Sequence, residues 1–127
     1  MRKFIIYVLL GLSCCLLPAS RRAPYEGQWG GEVLIVNVVF SFENGQFEER
    51  TYASNGVQVG GMKGRYVELN GTIMVDQVEQ YRFDNASLSG AWEPHEHVFM
   101  YAWEVRDSRL RLVSSDETDW EFALARR

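Results

Sequence analysis

From residue 27 onward, apolar and polar side chains alternate along this chain, interrupted at short intervals by Asn-Gly and Gly-Gly pairs. Period-two patterning puts one set of side chains on each face of a strand, and there is no sustained 3.6-residue period. The chain therefore reads as antiparallel sheet. Residues 33–42 form the longest apolar run of the strand region. If they are extended as one strand, Leu34, Val36, Val38, Phe40 and Phe42 share one face, while Val33, Ile35, Asn37, Val39 and Ser41 share the other. Gly27-Gln28-Trp29 enters the strand ahead of it, with Gly30-Gly31 as the place for a bend or bulge.

Turn chemistry then divides the chain. Asn44-Gly45 suits a two-residue hairpin, because such a turn needs positive φ at both central residues, and it pairs Phe42 with Phe47. The same register puts Glu49 and Thr51 on the face of Phe40 and Val38. Either the interior is partly polar or a bulge after Phe47 exchanges the faces. Asn55-Gly56 and Gly60-Gly61 break the chain again. A second hairpin at Asn70-Gly71 sets Val67 opposite Met74, Tyr66 opposite Val75 and Arg65 opposite Asp76. Tyr81 and Phe83 mark a short strand ending at Asp84-Asn85. Residues 98–105 form another, with Phe99, Tyr101, Trp103 and Val105 on one face. Asp107-Ser108 turns into a strand with Leu110 and Leu112 inward, and Trp120, Phe122 and Leu124 alternate along the last. About eight regularly spaced strands predict an all-β fold, an antiparallel meander closing into a barrel.

The amino terminus has a different pattern. Arg2 and Lys3 precede an apolar stretch, residues 4–17, that is short for a membrane span and suited to a signal peptide, with Leu17-Pro18-Ala19 as a cleavage site. The expected organisation is a signal peptide over residues 1–20 and one domain over residues 21–127. Cys14 and Cys15, the only cysteines, lie inside the apolar stretch. Leu12-Ser13-Cys14 before Cys15 partly matches a lipidation site, while Leu16 and Leu17 prolong the apolar run in a way that suits plain secretion. Both routes lead to the cell envelope or beyond, one free and one lipid-anchored. The domain itself holds no cysteine and must fold there without a disulfide. Its length is sufficient for that.

Charge narrows the partners. Removing Arg2 and Lys3 from the 13 basic residues leaves 11 against 17 acidic ones. With no basic stripe interleaved with aromatics, no nucleic-acid partner is expected. Arg106, Arg109 and Arg111 sit beside Asp107 and Glu104 and read as a solvated strand face. Asn70-Gly71-Thr72 and Asn85-Ala86-Ser87 match a glycosylation triplet and read as turns.

Catalytic constellations are thin. Glu93, His95 and His97 share a parity that could converge on a zinc ion, but Pro94 interrupts the alternation, and no metal is expected. His95-Glu96-x-x-Phe99 is not a metalloprotease helix motif. The domain offers no cysteine nucleophile and no Gly-x-Ser-x-Gly. Adjacent carboxylates such as Glu48-Glu49 point to opposite faces of a strand. No enzyme activity and no cofactor are expected.

Gly27-x-Trp29, the Phe-rich strand into Asn44-Gly45, Gly64-Arg65-Tyr66-Val67 leading to Asn70-Gly71, Ser108-Arg109-Leu110-Arg111-Leu112 and the terminal Phe122-Ala123-Leu124-Ala125-Arg126 together resemble the small bacterial lipocalin-like domains, calycin-type barrels. The resemblance implies that Trp29 packs at the closed end of the barrel and that Arg126 or Arg127 lies across it, with Gly27 completing the motif. The Thr118-Asp119-Trp120 triplet matches a second motif of that family in letters but not in position. The resemblance also implies a secreted or periplasmic bacterial protein, in which such a barrel can hold a small apolar or aromatic ligand; Tyr52, Tyr66, Tyr81, Trp92, Tyr101 and Trp103 either line that cup or fill the barrel as ordinary core. The alternative is a surface module, an adhesin or periplasmic inhibitor, that meets an envelope protein partner through its exterior and loops. In either case the membrane is met only through a signal or lipid anchor.

Overall fold

The computed structural model describes residues 22–114 and 121–127. The segment read as a signal peptide, Cys14, Cys15 and the Thr118-Asp119-Trp120 triplet lie outside those residues. The described chain is all-β: β1 (Gly27–Val33), β2 (Val36–Glu43), β3 (Gln46–Tyr52), β4 (Gln58–Leu69), β5 (Thr72–Asp84), β6 (Ser89–Pro94), β7 (Phe99–Arg106), β8 (Arg109–Ser114) and β9 (Glu121–Arg126). Eight of them close an antiparallel barrel, running from β1 through β5 and then β7, β8 and β9, with β9 pairing back onto β1. An eight-stranded antiparallel closed barrel is consistent with the calycin-type architecture that the sequence resembles. β6 is the exception, for it pairs only with the second half of β5 and extends the sheet beyond the ring.

Three hairpins turn on two residues with positive φ. Asn44 and Gly45, Asn70 and Gly71, and Asp107 and Ser108 all sit between +53° and +86°, the backbone that matches strand twist in a tight hairpin. The registers follow from these turns. Phe42 stands opposite Phe47, and Phe40 opposite Glu49, with no shift between them. Tyr66 pairs with Val75 and Arg65 with Asp76. The Arg65–Asp76 ion pair is 3.8 Å and exposed.

The run 33–42 is not one strand. Leu34 and Ile35 form a two-residue hairpin tip, Leu34 with φ of 56°, and their side chains are 86% and 84% exposed. β1 and β2 fold onto each other there, so Trp29 meets Phe40 and Gly31 meets Val38. The residues that flank a two-residue turn face the same side, so the inward set passes from Trp29, Gly31 and Val33 on β1 to Val36, Val38, Phe40 and Phe42 on β2, and Leu34 leaves it at the tip. Gly30 and Gly31 do not break the β1 ladder but continue it. Gly60 and Gly61 likewise stay inside β4. Tyr81 and Phe83 do not form a strand of their own. They end a 13-residue β5 that bends at Gln77, φ 52°, where the register against β4 shifts between Lys63 and Arg65.

Inward side chains from every ring strand fill the lower barrel. Trp29, Phe40, Phe42, Phe47, Ile73, Leu110, Leu112 and Leu124 are essentially without solvent exposure. The lead-in before β1 turns on Glu26, whose N–H bonds to the Ala23 carbonyl, and drives Tyr25 into the barrel end beside Phe42, Tyr66 and Trp103, ring centres 5.0–5.9 Å apart. Gly27 stands beside the β1–β9 closure of the ring, under the Arg126 side chain. With φ of 111°, it lies where a Cβ would come within 2.6 Å of Arg126 Nη1, a position open to glycine alone.

Candidate functional site

The two ends of the barrel differ. The closed end holds Tyr25, Trp29, Phe42, Tyr66 and Trp103, with their polar atoms satisfied. Trp29 Nε1 donates to the Tyr25 carbonyl at 2.8 Å. Trp103 Nε1 donates to Glu68 at 2.9 Å, and the same carboxylate oxygen caps the Gly71 N–H at 2.8 Å. Arg126 lies over the Trp29 ring, 4.1 Å from its centre, and ties down the lead-in by donating to the Glu26 and Pro24 carbonyls at 2.6 and 3.1 Å. The Tyr66 hydroxyl is pushed up to about 12, first by burial and then by Tyr25 and Glu26. Burial likewise raises Tyr25. A group this dry and this well bonded is a plug.

At the other end, between the Leu34-Ile35 tip and the start of β7, the barrel opens into a cavity of about 360 Å³. Its walls are Val33, Val36, Val38, Met62, Phe99 and Phe122, over a floor that includes Phe40. Four polar residues share the lining: Glu49, Thr51, Tyr101 and Ser114. Most of the lining is therefore apolar, with a few convergent polar groups, the usual composition of a small-molecule site.

Glu49 is the unusual member. β3 runs inward at Phe47, Glu49 and Thr51, so register alone brings this carboxyl into the barrel opposite Phe40 on one side and Met62 on the other. It is 9% exposed. Burial pushes its pKa upward, against the pull of the Thr51 hydroxyl, which donates to Oε2 at 2.6 Å. Among the described residues, that is its only side-chain hydrogen bond, and no cation stands within ion-pair reach of it. The neighbouring cations all point outward. Arg50 pairs with Glu48, and Lys63 lies 3.7 Å from Glu79 and 4.4 Å over the Trp92 ring. Parity thus separates adjacent carboxylates as expected, Glu48 to the outer face and Glu49 to the inner.

Of the six aromatic residues suggested as ligand contacts, the fold brings one, Tyr101, into the cavity. Tyr66 and Trp103 belong to the closed-end plug. Tyr52 lies on the outer face, in a separate, more polar pocket of about 490 Å³ with Asn37 and Arg50. Tyr81 and Trp92 pack edge to face at 5.2 Å on the outside. There Trp92 covers Gly61, which has no room for a side chain between the Glu49 carbonyl and that indole. Cys14 and Cys15 lie outside the described residues. Gly27, Trp29 and Arg126 form the closed-end arrangement described above. The residues not anticipated as lining, Val33, Val36, Met62, Phe99, Ser114 and Phe122, share the parity of the core and are distinguished only by their height in the barrel.

The remaining polar clusters are surface features. Glu93 pairs with Arg82 at 3.1 Å. The His95 and His97 rings stand 6.0 Å apart and edge to face, and no group of three or more metal-binding side chains forms among the described residues. Arg106 and Arg111 both engage Glu104, at 2.9 and 3.8 Å, and Arg111 also engages Glu121 at 2.6 Å. That last contact raises the guanidinium and lowers the carboxyl.

No family model, no curated protein and no solved structure matches this chain. The barrel, its plug and its cavity therefore carry the functional reading by themselves.

Proposed function

We propose that this chain is a non-catalytic, lipocalin-like protein of the bacterial envelope that holds a small apolar or aromatic ligand in the upper half of its barrel. The observation that carries the reading is the contrast between the two ends: a plug packed from both sides at one, and an apolar cavity with a buried carboxyl at the other. An eight-stranded barrel can be filled by its own side chains, and this one leaves a cavity at one end. At about 360 Å³, the cavity lies near the lower end of the ~300–1,000 Å³ range of ligand sites. It suits a single ring or a short chain rather than haem or a two-tailed lipid. Supporting a binding role over a catalytic one, neither histidine is among the residues that line the cavity. Envelope placement rests on the amino-terminal pattern alone.

The test is a thermal-shift screen of residues 21–127 with aromatic metabolites, short and long fatty acids and haem, read beside native mass spectrometry of protein isolated from its own host. A ligand bound only by the native state stabilises it by about 2.7 kcal/mol at a hundredfold excess over Kd. A small co-purifying mass, or a saturable shift with a small apolar compound, is expected. No shift and no added mass would favour the second reading, a surface module. What supports that reading is the Leu34-Ile35 tip, two large apolar side chains held out to solvent beside the cavity mouth. A pull-down from envelope extract, compared with a Leu34→Asn, Ile35→Gly double variant, tests it.

A further inference from the structure

We propose that the cavity selects a small organic cation, an ammonium group on a single aromatic ring or short aliphatic body, with Glu49 as the residue that receives the charged head. The inference rests on the reading of the barrel as a container and specifies what the container prefers.

The cavity lining contains one acidic group and no basic one. Glu49 is more than nine-tenths buried, has the Thr51 hydroxyl on Oε2 and has no cation partner among the described residues. A buried carboxyl without a counter-charge is costly to a fold. It persists where a protein can compensate for it or where a ligand completes it. The barrel had simple alternatives, since every second position of β3 faces inward and Phe47 shows that an apolar residue fits there. Burial has already displaced Glu49 upward, and Tyr101 is the one other titratable side chain among the lining residues. An incoming ammonium supplies the missing charge and donates to the oxygen that Thr51 leaves open.

The surrounding walls fit the same head group. Phe40 packs against Tyr101 and Phe122 with ring centres 6.3 and 5.1 Å apart, and Phe99 completes an aromatic side. Ring faces attract cations while the same rings accept an apolar body. A ligand carboxylate, by contrast, would meet a second carboxyl with no cation to mediate between them. The formal charge of the chain, −4, also draws cations toward it.

Isothermal titration of a matched series at pH 7.5 tests the inference: phenethylamine, phenethyl alcohol and 3-phenylpropionate, alike in ring and reach but differing in head group. In the wild-type protein the amine is expected to bind at least about tenfold more tightly than the alcohol, with the carboxylate weakest. Glu49→Gln keeps the side-chain volume and an acceptor for Thr51, so it is expected to abolish the amine preference and bring the amine's affinity down to that of the alcohol. Equal affinity for all three, a preference for the carboxylate, or an amine preference that survives in Glu49→Gln would overturn the cation assignment while leaving the container intact. Absence of binding by all three would remove both. The wild-type series decides the question even if the variant fails to fold, and alcohol binding by the variant reports that it has folded.

Discussion

Arg126 and Trp29 hold the barrel shut from opposite ends of the chain. They are partners in the β1–β9 ladder, and the guanidinium lies 4.1 Å over the indole while bonding two carbonyls of the lead-in. One side chain therefore covers the Trp29 ring, spans the seam where the ring of strands closes and pins the segment that carries Tyr25 into the core.

Trp29→Ala is expected to cost about 3–5 kcal/mol, because a fully buried indole leaves a cavity that the barrel wall cannot collapse into. Arg126→Ala is expected to cost less, about 0.5–2 kcal/mol, chiefly from the lost ring contact, because the Glu26 and Pro24 carbonyls it bonds are exposed and water can take its place. Urea denaturation followed by tryptophan fluorescence measures both. A Trp29→Ala loss under about 1 kcal/mol would mean the ring is not the seal it resembles.

Glu49 makes stability depend on pH in a defined direction. Its native pKa lies above its ordinary value of 4.5, so over the window between the two the native state holds a proton that the unfolded chain has released. Stability is then full below about pH 4.5 and falls as pH rises toward the native pKa. Thermal unfolding of wild type against Glu49→Gln from pH 4 to pH 8 should show the variant gaining relative to wild type across that window. Parallel curves would mean the carboxyl is solvated.

Glu68 joins the β4–β5 turn to β7 through one carboxylate oxygen that accepts from both Gly71 N–H and Trp103 Nε1. Glu68→Ala leaves two donors unsatisfied and is expected to cost about 1–3 kcal/mol. Glu68→Gln, which keeps an acceptor, should recover most of that. Equal losses in the two variants would assign the effect to charge rather than to the hydrogen bonds.

Leu34 occupies left-handed backbone, φ 56°, with its side chain in solvent, a placement that costs a branched residue roughly 1–2 kcal/mol. Leu34→Asn, which tolerates that conformation, should stabilise the fold by about 1 kcal/mol in the same denaturation assay. If instead binding of a partner falls while stability rises, the exposed leucine is kept for contact.

Tyr66 should be among the last tyrosines to ionise. Ultraviolet titration at high pH is expected to lose a late step near pH 12 in Tyr66→Phe. Because the native pKa is the raised one, the wild-type protein should also lose stability as pH climbs from 10 toward 12.

Much of the architecture was legible from local chemistry. Asn44-Gly45 and Asn70-Gly71 specify tight turns through backbone conformations that few residues adopt, and a tight turn sets register for the strands on either side. The facing pairs Phe42–Phe47 and Tyr66–Val75 follow directly, and so does the choice of Glu49 over Glu48 as the inward carboxyl once no bulge intervenes. What period-two patterning cannot express is height along the barrel or which strand closes on which. Leu34-Ile35 carries no turn residue, and its hairpin exists because folding β1 onto β2 buries Trp29 against Phe40, a gain made between residues rather than within either. The bend at Gln77 divides β5 between β7 and β6, and that division sends Tyr81 and Trp92 to the outer face. Whether an aromatic on the inward parity is plug or lining depends on its distance from the seam where Trp29 meets Arg126. That seam joins residues nearly a hundred positions apart, and only the closed ring brings them together.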